Sequence, residues 1–282
     1  MTNFFVNLPL RFLSGHPEYP DLFLNNLICP ELGIDALSMD ALDSKCHTNL
    51  AEPFGLKNIS TSIHMPFIDL QPGSLDEYIR RASATRLLEA AKLALFYRPK
   101  HLIVHSGYRS EIYDHNYSKW LENSVATWQE ILKAIPEDVS VYLENVYEQE
   151  PYLLKDLLSE LGGRAGFCFD LGHWFSFGGG WAKKNLDHWL QTMAPFLRHL
   201  HLHDNDGSGD EHLGMGAGAI PFADLFSGLE LMDISATFTL EPHSREDFGQ
   251  SLEFILDNQY WFSLLSLKKK DFDHLEIILS GI

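Results

Sequence analysis

A chain of 282 residues with 45% hydrophobic content can bury a large core, and a single α/β barrel of about 250 residues is commonly one domain. Lys+Arg 21 against Asp+Glu 39 leaves a formal charge of −18, which disfavours duplex DNA, held largely through Lys and Arg on phosphate, and leaves a small substrate as the expected partner. The apolar runs are short and broken by charge, so no stretch reaches the roughly 20 residues a bilayer span needs.

From the N-terminus, Met-Thr-Asn-Phe-Phe lacks the basic stretch and small-residue cleavage site of a secretory signal. Three cysteines, Cys29, Cys46 and Cys168, form no close-spaced pair, which suits a reducing compartment and makes the cytoplasm the expected location. Strand-like apolar runs then recur about every 35 residues, at 4–8, 33–39, 60–67, 101–106, 139–146, 165–171, 197–203 and 236–242. Between them lie amphipathic stretches. Ser74-Leu-Asp-Glu77 opens one as a capping box, and 117–135, 152–161, 186–196, 221–228 and 245–258 supply others. Strands alternating with helices imply parallel strands and right-handed crossovers, and eight repeats close a (β/α)8 TIM barrel over 1–258. Residues 259–282 are expected to pack on it as a C-terminal extension.

Side chains alternate between the faces of a strand. Glu144, Tyr142 and Ser140 therefore oppose Leu143 and Val141, Asp170 and Cys168 oppose Phe169 and Phe167, Glu241 and Thr239 oppose Leu240 and Phe238, and His201 and His199 oppose Leu200 and Leu202. With the apolar face on the helices, His64, His105, Glu144, Asp170, His201 and Glu241 project inward at six successive strand ends, with His173, Asp210 and His212 in adjoining loops. A lone strand-end histidine is more often a hydrogen-bonded structural residue. Several carboxylates converging on one rim repel unless cations or protons intervene. Five histidines and four carboxylates offer nitrogen and oxygen donors that suit Zn²⁺, Mn²⁺ or Fe²⁺.

The segments Ile63-His64-Met65-Pro66, Val104-His105-Ser106-Gly107, Leu143-Glu144-Asn145, Asp170-Leu171-Gly172-His173, His201-Leu202-His203-Asp204, Asp210-Glu211-His212 and Leu240-Glu241 follow one another in order. Together they resemble the motifs of the xylose isomerase-like TIM barrel superfamily, and most nearly those of its endonuclease IV branch (AP endonuclease family 2). The glycine-rich Leu213-Gly214-Met215-Gly216-Ala217-Gly218 is similar to that branch's loop. Two positions depart from it: Phe67 stands near a usual tyrosine, and Ala217 replaces an acidic residue. The resemblance implies up to three divalent metals per chain. His64 and His105 would hold one, with Glu144 bridging to a second held by Asp170, His201 and Glu241, and His173, Asp210 and His212 would hold the third. It further implies phosphoester hydrolysis, which the acidic charge directs toward a small phosphorylated metabolite, such as the cobamide-type phosphodiester cleaved by another superfamily member.

Glu144 and Glu241 are the candidate catalytic carboxylates. Arg109, Tyr108, Trp174 and His203 are candidate substrate contacts, His203 also competing as a ligand. Lys183 or Lys184 is a second choice for a phosphate. Tyr147, Phe175, Phe177 and Trp181 are aromatics that pack loops or stack on a substrate ring. His243 lies just beyond Glu241, while His16, His47, His101, His115, His188, His199 and His274 read as structural or surface residues. Two other readings stay open: a sugar or sugar-phosphate isomerase or epimerase, with Glu144 and Glu241 as paired acid and base on one or two metals, and a barrel that binds metal or ligand without turnover.

Overall fold

The structure, a computed structural model, describes residues 1–16 and 18–282. Eight strands, β1 (Phe5–Pro9), β2 (Cys29–Gly33), β3 (Ser62–His64), β4 (His101–His105), β5 (Ser140–Glu144), β6 (Gly166–Asp170), β7 (Leu197–Leu202) and β8 (Thr237–Leu240), close a barrel in chain order. Every neighbouring pair is parallel, including β1 with β8. All eight strands therefore end on one rim. No helix among the described residues is long and apolar enough to cross a membrane.

Seven of the expected strands fall where the alternation places them, six of them at the expected bounds or trimmed and the first shifted by one residue to Phe5–Pro9. The second does not. An extended segment is expected at 33–39, but the strand is Cys29–Gly33 and a helix follows at Ala36–Ala41. Asp35 caps that helix by accepting from Ser38 N at 2.7 Å, and Ser38 Oγ accepts from Asp35 N at 3.0 Å. Pro30 and Glu31 give 29–33 the look of a turn, yet Glu31 is buried and its side chain lies inside the barrel. The expected cap of the third crossover is also displaced. Asp76, not Ser74, caps the helix Glu77–Ala94, accepting from Tyr78 N at 2.8 Å and Ile79 N at 3.2 Å. A carboxylate there also meets the positive end of the helix dipole.

Residues 259–282 form two helices, Gln259–Leu264 and Lys269–Gly281. Phe262 packs at a tilt against Phe238 of β8 at 5.5 Å, and Trp261 stacks on Phe226 at 5.2 Å. Phe238 itself stacks on Phe4 at 4.9 Å, so this extension buttresses the seam between β8 and β1.

The apolar core lies between barrel and helices, where outward residues such as Phe167, Phe169, Leu200 and Phe238 are fully buried. The barrel interior is polar by comparison. Barrels are usually filled by branched apolar side chains; here Glu31, His101, Glu144, Asp170, His199, His201 and Thr239 are all buried.

Candidate metal centre

Barrel stagger sets the rim ligands in steps. His105 pairs with Glu144 across β4 and β5, and Asp170 pairs with His201 across β6 and β7. Glu144 is the hub. Its Oε2 lies 3.1 Å from both His64 Nε2 and His105 Nε2, and its Oε1 lies 3.1 Å from His173 Nδ1 and 3.2 Å from His201 Nδ1. His201 Nδ1 also lies 3.3 Å from Glu241 Oε1 and 3.6 Å from Asp170 Oδ2. On the far side Asp210 Oδ2 sits 3.0 Å from His212 Nε2 and 3.3 Å from His173 Nε2. All nine expected ligands thus converge on one rim.

The ring orientations suit a cation. His64 Nδ1 lies 3.0 Å from the carbonyl of Met65, His173 Nδ1 lies 3.0 Å from that of Asn145, and His212 Nδ1 lies 2.9 Å from that of Glu241. A carbonyl only accepts, so each Nδ1 carries the proton and each Nε2 presents a lone pair to the cluster. Bonds of about 2.1 Å would set adjacent donors about 3.0–3.4 Å apart, which is the spacing most of these pairs show. His105 Nε2, Asp170 Oδ2 and Asp210 Oδ1 are buried and make no hydrogen bond, as atoms reserved for a metal would. His64, His105 and Glu144 form one compact donor set, and His203, His212 and Glu241 another.

Charge reinforces this reading. Burial alone would raise Glu144, yet the His201 charge above all holds it well below the usual carboxylate range, while burial brings His105 itself down to about 4. Asp170, raised by burial, is depressed by His173 and His203, and Asp210 by its bonds to His173 and His212. Burial works against a charged His212, but Asp210 and Glu241 push it up to about 9; His173 and His201 are raised likewise. Burial raises Glu241, only partly countered by His201 and His212. In the metal-free protein, protons are drawn to positions that cations would take.

The loop carrying Asp210 and His212 is anchored by Asp204. Its carboxylate accepts from Asn205 N (2.9 Å), Gly216 N (2.9 Å) and Ile220 N (3.1 Å), and its backbone pairs in both directions with Leu213 at 2.9 Å. His212 is held beside this bridge with φ 54°, a left-handed conformation that costs a non-glycine residue about 1–2 kcal/mol. Asp204→Ala would strand three amides, so an unfolding penalty of about 2–4 kcal/mol is expected in urea titrations. In the same variant Asp210 and His212 would no longer be held in place to ligate a cation.

The expected substrate contacts divide. His203 belongs to the cluster. Its Nε2 lies 3.3 Å from Asp170 Oδ1, and its ring stacks at 4.0 Å on His212, which stacks at 3.9 Å on His243. A Cβ on Gly172 would fall 1.9 Å from the His203 ring, so glycine is required there. Arg109 lies 4.8 Å over the Tyr147 ring at the edge of a cavity of about 270 Å³, which Phe67, Gln71, His105 and Glu148 help to line. Phe67 stacks on His105 at 4.3 Å, and Phe177 on His173 at 5.6 Å.

Tyr108 and Trp174 do not fit their expected role. Tyr108 borders the same cavity but is itself buried against Trp120, its hydroxyl donating to Asp114 at 2.5 Å. Trp174 is buried with its indole N–H on Asn185 at 3.1 Å, and Phe175 is buried beside it. Their neighbourhood in sequence is misleading, because loop residues next to a ligand turn back to pack the loop. Lys183 donates to the Gln149 carbonyl at 2.8 Å and pairs with Glu150 at 3.3 Å, so its ammonium is already engaged. The residue missed altogether is Glu31, whose Oε1 lies 3.1 Å from His201 Nε2.

A family model for the xylose isomerase-like TIM barrel matches residues 31–258. An uncharacterized protein of Methanocaldococcus jannaschii is 29% identical over 202 residues, 68% of this chain and 68% of that one. A D-tagatose 3-epimerase-like protein superposes with TM-score 0.75 at 22% identity, over 94% of this chain and 98% of its own. Endonuclease IV from Thermus thermophilus superposes with TM-score 0.61 at 16% identity, over 92% of this chain and 98% of its own. At such identities the likeness to the two solved structures is one of fold.

Proposed function

This chain belongs to the xylose isomerase-like TIM barrel family, and we propose that it is a metal-dependent phosphoester hydrolase acting on a small phosphorylated substrate. The observation that carries this reading is the extra donor set, His173, Asp210 and His212, assembled at 3.0–3.3 Å beside the shared carboxylate Glu144. An isomerase of the kind weighed above needs only one or two cations.

His64, His105 and Glu144 would hold one cation, Glu144, Asp170, His201 and Glu241 a second, and His173, Asp210 and His212 a third, with Zn²⁺ favoured by the nitrogen-rich set and Mn²⁺ or Fe²⁺ as alternatives. When bound, such a cluster activates water and neutralises charge on the phosphoryl oxygens and the leaving oxygen. Glu241, its pKa raised by burial, is placed beside Glu144 and Asp170 to take or return a proton at the rim. Arg109, exposed above Tyr147, would meet phosphate oxygens, and the walls formed by Phe67 and Tyr147 suit a ring. The charge of −18 sets duplex DNA aside.

One arrangement favours an epimerase as the second reading. Glu144 Oε1 and Glu241 Oε1 lie 3.2 and 3.3 Å from the same His201 nitrogen, close enough to act as paired acid and base on one carbon, and a D-tagatose 3-epimerase-like protein shares the fold. Protein purified without chelator separates the two. About three metals per chain with cleavage of a chromogenic phosphodiester, reduced about 100-fold in His212→Ala, is the expected result. A single metal, no phosphoesterase activity and turnover of a ketose would overturn it.

A further inference from the structure

Below the rim, the barrel holds a second polar layer that the ligand set does not use. Glu31, on β2, is fully buried at its centre. Its Oε2 accepts from Ser62 Oγ at 3.0 Å and from Thr239 Oγ1 at 2.8 Å. Thr239 Oγ1 also lies 2.8 Å from His199 Nε2, and His199 Nδ1 lies 2.6 Å from Thr237 Oγ1. Because the one hydroxyl proton of Thr239 goes to Glu31, Thr239 can only accept from His199. His199 Nε2 is therefore protonated and offers no lone pair, so this layer is not itself a metal site, although Glu31, His101 and His199 lie close enough together for one.

Glu31 Oε1 is committed differently. It and His201 Nε2 lie 3.1 Å apart, both buried and each without a hydrogen bond, so what links them is close charge rather than an aligned N–H···O bond. The other nitrogen of the same ring, Nδ1, faces Glu144, Glu241 and Asp170. His64, His173 and His212 each have a backbone carbonyl to hold their second nitrogen. His201 lies deeper, and a carboxylate stands where a carbonyl stands for the other three.

We infer that Glu31 is a positioning residue: its buried carboxylate, 3.1 Å from His201 Nε2, favours the proton on that nitrogen and so leaves the Nδ1 lone pair for the cation shared by Glu144, Asp170 and Glu241. Ser62 and Thr239 hold the carboxylate itself in place. The role rests on His201 being a metal ligand and holds under either the hydrolase or the epimerase reading.

The test is Zn²⁺ binding to the full chain, measured by competition with a chromophoric chelator, together with the histidine ¹⁵N shifts of the loaded protein. In Glu31→Gln one metal equivalent is expected to bind about 10–100-fold more weakly, with His201 no longer showing a single Nε2-protonated, Nδ1-coordinated pattern. Glu31→Asp, which keeps an acceptor but withdraws it, should fall between Gln and wild type, and gives the same readout if the Gln variant does not fold. Unchanged affinity for every equivalent and an unchanged His201 tautomer in Glu31→Gln would overturn the role of Glu31, provided that His201→Ala loses an equivalent. If His201→Ala keeps every equivalent at wild-type affinity, the ligand assignment fails and the inference with it; loss of phosphodiester cleavage is a separate matter that bears only on the hydrolase reading.

Discussion

Glu144→Gln is expected to lower phosphodiester cleavage by about 10³-fold and to leave at most one tightly bound metal per chain. The Nε2 atoms of His64 and His105 lie 3.1 Å from its Oε2, and His201 Nδ1 and the His173 Nδ1–H lie 3.2 and 3.1 Å from its Oε1, so its charge would serve the two cation positions proposed on either side. Glutamine has nearly the same shape, but one of its termini is an NH₂. That group must take the place of one of the two carboxylate oxygens, and an NH₂ offers a cation no lone pair and no charge. A loss of about 4 kcal/mol of transition-state stabilisation, at ~1.36 kcal/mol per tenfold in rate, corresponds to the expected scale. Metal analysis of the purified variant, paired with kcat/KM on a chromogenic diester, checks both parts. Activity within tenfold of wild type, at full metal content, would remove Glu144 from the hub.

The six strand-end donors of the rim cluster were legible because strand alternation is a hard constraint. Once Leu143, Phe169, Leu200 and Leu240 face the helices, Glu144, Asp170, His201 and Glu241 have nowhere to point except inward. The loop ligands His173, Asp210 and His212 were legible only through the motif resemblance, since no periodicity governs a loop. What was lost follows from the same logic. Glu31 escapes notice because Pro30 and a charged residue disguise 29–33 as a turn, and a strand placed at 33–39 removes the one carboxylate that reaches His201 from below. His101 and His199 read in sequence as structural or surface residues. His199 is structural in a particular sense, since its bond to Thr239 helps to hold Glu31. Helices Glu18–Asn25 and Ser44–Leu56 have no counterpart among the expected elements; the second carries Pro53 and has no long apolar stripe. Asp204 lies in the same motif as His201 and His203, but its task of fixing the His212 loop depends on amides at Gly216 and Ile220, a dozen or more residues away.

Without metal, the protein is expected to lose about 3 kcal/mol of stability as pH rises from 6.5 to 9. The sign follows from His212, whose ordinary value of 6.5 is raised to about 9 in the fold. A raised folded pKa contributes stability that is complete below 6.5 and disappears as pH climbs through 9. At ~1.36 kcal/mol per pH unit the interval gives about 3 kcal/mol. His173 and His201 are raised as well and act in the same direction. The depressed acids Glu144, Asp170 and Asp210 contribute in the opposite sense, their stabilisation present above about 4 and lost as pH falls through their folded values. His105 and His243, each lowered to about 4 chiefly by burial, take stability away as pH falls below 6.5, so metal-free protein should be most stable near pH 6.5. A bound cation changes the slope on the alkaline side, because it takes the place of the protons on these histidines and binds more tightly as they leave. Urea unfolding at about pH 6.5 and 9, in chelator and in protein loaded and then freed of excess Zn²⁺, should show the chelated midpoint falling and the loaded one holding or rising. A chelated midpoint that stays level across this range would mean that the rim carboxylates do not hold protons on His173, His201 and His212, and the electrostatic case for a cation at that position would go with it.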